Sequence, residues 1–274
     1  HRIWHGKNVK RNGKAGIRLS NMHMAGQKTR RSLKTNKILG YITDMIFPPR
    51  CPVCDEILGM TDGMIHSGCK SCLYPVKEPV CMKCGKMITS PTREYCSDCA
   101  KKKNSHYDQG KAVFEYKGAV KQSIYRFKYD NSREYAGFYA ASAVENYSGW
   151  IQRNKIDAIV PVPMYRKKKR KRGYNQAEVF ARELSKKTDI PVENELVVRV
   201  ENTPALKLLN YVERKNALDG AFQVRKNIVN CYKSILLVDD IYTTGSTAEE
   251  ISRMLKQSGN IHVYLLCICI GKQD

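Results

Sequence analysis

No acidic side chain occurs in the first 37 residues, which carry eleven lysines and arginines and so supply half of the net charge of +22. A segment this one-sided and this poor in large apolar residues forms no packed core of its own, and residues 1–37 are expected to be a disordered basic extension. It also lacks the apolar stretch of a secretory signal. Nowhere does an apolar run approach the roughly 18 residues of a membrane span. The longest, Val263 to Ile270, suits a buried strand. No membrane insertion and a cytoplasmic location are therefore expected. Large apolar residues are scarce again between positions 50 and 104, which excludes an ordinary hydrophobic core there.

What that stretch has instead is cysteine: eight of the eleven lie between Cys51 and Cys99. They form four Cys-x-x-Cys pairs, Cys51/Cys54, Cys69/Cys72, Cys81/Cys84 and Cys96/Cys99. Two intervening residues let a tight turn aim both sulfurs at one tetrahedral ion, so eight ligands suffice for two structural Zn²⁺ sites. Disulfides are the competing interpretation, and a cytosolic chain argues against them. Sequential pairing is the simplest arrangement, and interleaved pairing is also open. His66 reads as a spectator, since the cysteine count is complete without it. The lone Cys231, Cys267 and Cys269 sit among apolar neighbours and read as packing residues.

The texture changes near residue 105. Strand patterns at 111–116, 157–161, 191–198, 234–238 and 261–270 alternate with helical ones at 118–129, 134–153, 175–187 and 247–258. This alternation predicts an α/β fold with a mainly parallel sheet. Residues 38–47 read as a short amphipathic helix stopped by Pro48-Pro49. The expected organisation is an extension over 1–37, a cysteine module over 38–104 and an α/β domain over 105–274.

The densest chemistry lies in Ile235-Leu-Leu-Val-Asp239-Asp240-Ile-Tyr-Thr243-Thr244-Gly245-Ser246-Thr247. Four apolar residues run directly into two acids, placing paired carboxylates at the carboxyl end of a buried strand, where open α/β sheets bind ligands. Hydroxyls and a glycine follow, then a helix, an arrangement suited to a phosphate. Ser246 and Glu249 have the spacing of a capping box. Two adjacent carboxylates can each accept a hydrogen bond from one hydroxyl of a vicinal diol.

This segment resembles the signature of type I phosphoribosyltransferases, which bind phosphoribosyl pyrophosphate (PRPP). The resemblance implies that Asp239 and Asp240 hold the ribose hydroxyls, that Thr243, Thr244, Gly245, Ser246 and Thr247 wrap the 5′-phosphate, and that Mg²⁺ accompanies the pyrophosphate. Further motifs narrow it: Phe47-Pro-Pro-Arg-Cys-Pro-Val-Cys54, Val160-Pro-Val-Pro163, Arg172-Gly-Tyr-Asn-Gln176, Thr203-Pro204, Arg214-Lys-Asn216 and Gly220-Ala-Phe222. Together they are similar to the ComF family, which joins a double zinc ribbon to a type I phosphoribosyltransferase domain. Tyr174 and Leu206 depart from the phenylalanine and glutamine usual in that family.

The resemblance implies that Val162, Pro163 and Met164 face the pyrophosphate and that Arg172 acts with Asp239 and Asp240. The unbroken basic run Arg166 to Arg172 reads either as a solvated loop, as a pyrophosphate contact or as a nucleic-acid patch beside Tyr165 and Tyr174. Two functions stay open. One is an enzyme, whether linked to DNA uptake or to nucleotide metabolism or salvage, that transfers the phosphoribosyl group from PRPP to an acceptor. The other is a non-catalytic PRPP sensor that grips single-stranded DNA during natural transformation, with a DNA-uptake helicase or other competence proteins as partners.

Overall fold

A computed structural model of the chain describes residues 48–102, 105–202 and 217–271. The expected extension, the 38–47 helix and the Thr203-Pro204 and Arg214–Asn216 motifs lie outside these residues. From Pro49 onward the described residues form one compact unit.

Four parallel strands make the central sheet, in the order β1 (Gln109–Glu115), β6 (His262–Ile270), β5 (Ser234–Tyr242), β2 (Ala158–Pro161). The inner strands β5 and β6 read as near-continuous apolar runs because both of their faces are covered. Successive side chains alternate faces, so Leu236, Val238, Leu266 and Ile268 join one core while Ile235, Leu237, Leu265 and Cys267 join the other.

Three helices cover the first face: α2 (Gly118–Tyr129), α3 (Tyr135–Arg153) and α5 (Gln176–Thr188). In α2 the spacing of Val120, Ile124 and Phe127 puts all three on the buried stripe. Asn175 caps α5: its side chain accepts from the Ala177 N–H at 3.2 Å and donates to the Val162 carbonyl at 2.9 Å. On the second face lie α7 (Ser246–Ser258) and a two-stranded antiparallel hairpin, β3 (Val197–Arg199) with β4 (Phe222–Val224), followed by the short α6 (Lys226–Val229). The strand expected over 191–198 is therefore split: Val192 makes a single parallel bridge to Ile159, and only the end of the run pairs, with β4.

The cysteine module builds the same knuckle twice. Cys51 receives the Asp55 N–H on its carbonyl and gives its own N–H to Glu56, both at 2.8 Å; Cys81 repeats this with Gly85 at 2.9 Å and Lys86 at 2.7 Å. Both turns need a positive φ, 70° at Asp55 and 76° at Gly85. Helix α1 (Ser97–Lys101) completes the second knuckle. None of the helices among the described residues is long and apolar enough to cross a membrane.

The basic run is a helix, α4 (Arg166–Arg172), rather than a loop. Tyr165 begins it in an extended conformation, and Gly173 ends it at φ 88° with its N–H on the Lys169 carbonyl at 2.8 Å. Its seven charges carry no apolar period, which is why the helix was invisible to periodicity.

Candidate functional site

The structure gathers the first four metal donors from Cys51, Cys54, Cys69 and His66, all within 4.8 Å of one another. Cys72, expected as a ligand, lies outside this group and is exposed. His66 Nδ1 stands 3.2 Å from the Cys54 sulfur, while Nε2 reaches the Ile57 carbonyl at 3.2 Å. That outer contact fixes the tautomer that leaves Nδ1 free to ligate. The sequence carried a signal for this, because His66-x-x-Cys69 has the same spacing as a Cys-x-x-Cys pair. Burial raises the Cys51 thiol, but N–H donors from Cys54, His66 and Val53 outweigh it and bring it down to about 7, toward the ligating thiolate.

The second group is Cys81, Cys84, Cys96 and Cys99, all buried and within 4.8 Å of one another. Four soft donors at this separation fit zinc, and the pairing is sequential in both groups. Of the lone cysteines, Cys267 and Cys269 are core residues, but Cys231 is exposed and does not pack as expected.

Asp239 and Asp240 project from β5 to opposite faces and are both half-buried. Burial and the neighbouring Asp240 push Asp239 up to about 7. Lys128 of α2 pairs with Asp240, Nζ to Oδ2 at 2.8 Å. Arg199 of β3 approaches Asp239 from the other face. Burial lowers its pKa and the Asp239 charge opposes this. Lys168 lies within electrostatic reach of Arg199 and Arg172, so burial and then these two like charges depress it. Lys168 lies in the basic run already noted, but neither Lys128 nor Arg199 stood out in a chain with 48 basic residues.

Thr243 to Thr247 line a small cavity of about 40 Å³ with Asp239, between β5 and the start of α7. Gly245 takes φ 75°, and a Cβ there would collide with the Tyr242 ring, so only glycine fits. The capping box does not form. Gly245 occupies the cap position, and the Thr244 and Ser246 hydroxyls bond to each other at 2.9 Å. Glu249 instead accepts from Ser105 Oγ at 3.0 Å, the His106 N–H at 2.5 Å and His106 Nδ1 at 2.9 Å. Nearby, Lys102 Nζ donates to the Thr244 carbonyl at 3.0 Å, and the Tyr107 and Tyr242 hydroxyls meet at 3.0 Å. The segment leaving the second cysteine group is thus fastened to the hydroxyl loop.

Val162 is buried with its N–H on the Val238 carbonyl at 2.9 Å, one residue before Asp239, while Pro163 and Met164 after it are half-buried. Arg172 donates to Gln176 Oε1 at 2.7 Å and lies over the Tyr129 ring at 4.9 Å. Tyr174, expected beside a nucleic-acid patch, is 5% exposed and donates its hydroxyl to the Phe127 carbonyl. Tyr125 and Tyr129 are the exposed rings here, 55% and 54% exposed, with centroids 4.9 Å apart.

The family described as "Double zinc ribbon domain" matches residues 42–100. Competence protein F of Haemophilus influenzae is 33% identical over 216 residues, 77% of this chain and 92% of its own length. The chain belongs to the ComF family. Other ComF relatives are Competence protein ComFC of Bacillus subtilis, 25% identical over 72% of this chain and 80% of its own, and DNA utilization protein YhgH of Salmonella typhimurium, 25% identical over 81% and 97%. Among solved structures, an adenine phosphoribosyltransferase covers 60% of this chain and 83% of its own at 15% identity and a TM-score of 0.32, too remote to carry a ligand across to this ComF chain.

Proposed function

We propose that this ComF protein binds PRPP with Mg²⁺ at the end of β5 and serves DNA uptake in the cytoplasm. The supporting observation is a polarity across one site. Two half-buried carboxylates on β5 stand between a hydroxyl loop at a helix N-terminus and a cluster of like charges, Lys168, Arg172 and Arg199. Crowded cations of this kind gain most from a dense polyanion. A ribose diol would sit on Asp239 and Asp240, its 5′-phosphate in the loop 243–247, and the pyrophosphate toward the cations. Magnesium, held largely by the ligand's own oxygens, would neutralise the leaving group. The residues of this chain would position the ribose and carry the phosphate charges.

Titration calorimetry with PRPP and Mg²⁺, followed by a pyrophosphate-release assay with pools of bases and amines, tests this reading. Binding abolished by Asp239→Asn with Asp240→Asn supports it. Turnover then makes the protein a transferase, and binding without turnover makes it a sensor. No PRPP binding by the wild type overturns it.

A second reading, single-stranded DNA binding, is favoured by one observation. The exposed Tyr125–Tyr129 pair, capped by Arg172, adjoins α4 and forms a stacking surface bordered by charge. Relatives named for competence and DNA utilization support it. Anisotropy of a labelled oligonucleotide should show affinity falling steeply with salt and dropping by about 1–3 kcal/mol in Tyr129→Ala. Salt-independent binding would sink it.

A further inference from the structure

We propose that Lys128 is a positioning residue for the acid pair, and that the Arg172–Gln176 segment acts on the site by holding it there. The inference rests on the ribose-phosphate reading of Asp239 and Asp240.

Adjacent carboxylates repel, and half-burial at the end of a sheet strengthens that repulsion. Lys128 supplies the compensating charge from beneath. Its ammonium lies 2.8 Å from Asp240 Oδ2, with 15% and 14% of the two side chains exposed. Burial works against a charged lysine, yet Asp240 and then Asp239 more than offset it and keep the ammonium charged. The other titratable groups facing the pair are Tyr116 after β1, Cys267 and Cys269 on β6, and Arg199 on β3. Of these, Arg199 faces Asp239, so Lys128 is the cation serving Asp240. One lysine contact leaves a carboxylate with acceptor capacity for a ribose hydroxyl.

Lys128 is placed by its own backbone. It sits in the last turn of α2, where carbonyls lack helical partners. Those carbonyls are captured by the next motif. Tyr174 donates its hydroxyl to the Phe127 carbonyl, and Gln176 Nε2 reaches the Phe127 and Lys128 carbonyls at 3.4 and 3.5 Å. Arg172 in turn fixes the Gln176 side chain through its Oε1. A charged segment that touches neither acid thereby controls the geometry of both.

The test is calorimetric binding of ribose 5-phosphate to the full chain across a pH series. Wild-type affinity should rise as pH passes about 7, where Asp239 ionises. Lys128→Met should bind about tenfold more weakly near neutrality, with the deficit shrinking severalfold in alkali as Asp239, no longer held down by the Lys128 charge, ionises. Lys128→Arg should recover most of the loss. Tyr174→Phe, which keeps the ring and frees the carbonyl, should show the same pH signature more weakly, and it carries the test if Lys128→Met does not fold. A deficit equal at every pH, or none, overturns the proposal. A wild type that fails to bind ribose 5-phosphate at any pH sinks the parent reading instead.

Discussion

The two ribbons share one knuckle and differ in almost everything attached to it. The first joins three cysteines to a histidine, and only Cys51 of the four is buried. The second has four buried cysteines packed in the same cluster as Ile251 and Leu255 of α7, the helix that follows the hydroxyl loop. At the matching turn position the first has Asp55 and the second Gly85. Asp55 accepts the left-handed strain and uses its carboxylate to dock on Tyr135 and, at 3.8 Å, Arg126. Gly85 leaves room for the Gly110 backbone, where a Cβ would come within 2.8 Å of a carbonyl oxygen. The first knuckle is therefore attached by side chains to the helical face, whereas the second is built into the opposite face by its backbone and its metal donors. Repeated local chemistry does not imply repeated function.

The most severe way to test this contrast is to remove a ligand from each ribbon. Cys81→Ser should cut bound zinc from two to one and lower Tm by more than about 10 °C, while Cys54→Ser should lose one zinc with a shift of only a few degrees. Elemental analysis with differential scanning calorimetry reads both, and equal shifts would erase the distinction. Next comes the matched turn. Gly85→Ala should cost about 2–4 kcal/mol in denaturant unfolding, and Asp55→Ala about 1–2 kcal/mol.

A gentler change cuts the fastening and leaves the ribbon intact. Glu249→Gln keeps the side chain's shape but weakens its hold on Ser105 and His106. It should retain two zinc ions while ribose 5-phosphate affinity drops about threefold to tenfold. The smallest effect separates two neighbours: His66→Ala should lose the first zinc, and Cys72→Ser should leave metal content and Tm unchanged within about 1 °C. Loss of metal in Cys72→Ser would restore a four-cysteine site.

The strands, the acid pair and the hydroxyl loop were legible because each depends on near neighbours. Leu236 to Val238 reads as buried without knowing what buries it, and Asp239-Asp240 reads as a strand end from five residues, although β5 runs on past the acids to Tyr242, paired there with β6. Hidden features depend on distant ones. Glu249 looked like a cap because its true donors lie 143 and 144 positions away. Lys128 looked like any surface lysine until α2 brought it to Asp240. His66 was masked by arithmetic, since eight cysteines already filled two sites. The basic run kept its helix hidden because α4 buries none of its residues.

The order of the strands sets a timetable. Of the four strands of the central sheet, β6 is the last to be synthesised, yet it occupies an inner place between β1 and β5. Until it emerges, β1 and β5 each present an unpaired edge, and no sheet joins the acid-bearing part of β5 to β1, the strand that follows the second ribbon. The candidate site is therefore completed in one late step, when β6 brings Leu265 and Cys267 to the cavity beside Asp239. A nascent chain that stalls before β6 carries an assembled ribbon knuckle and no assembled cradle.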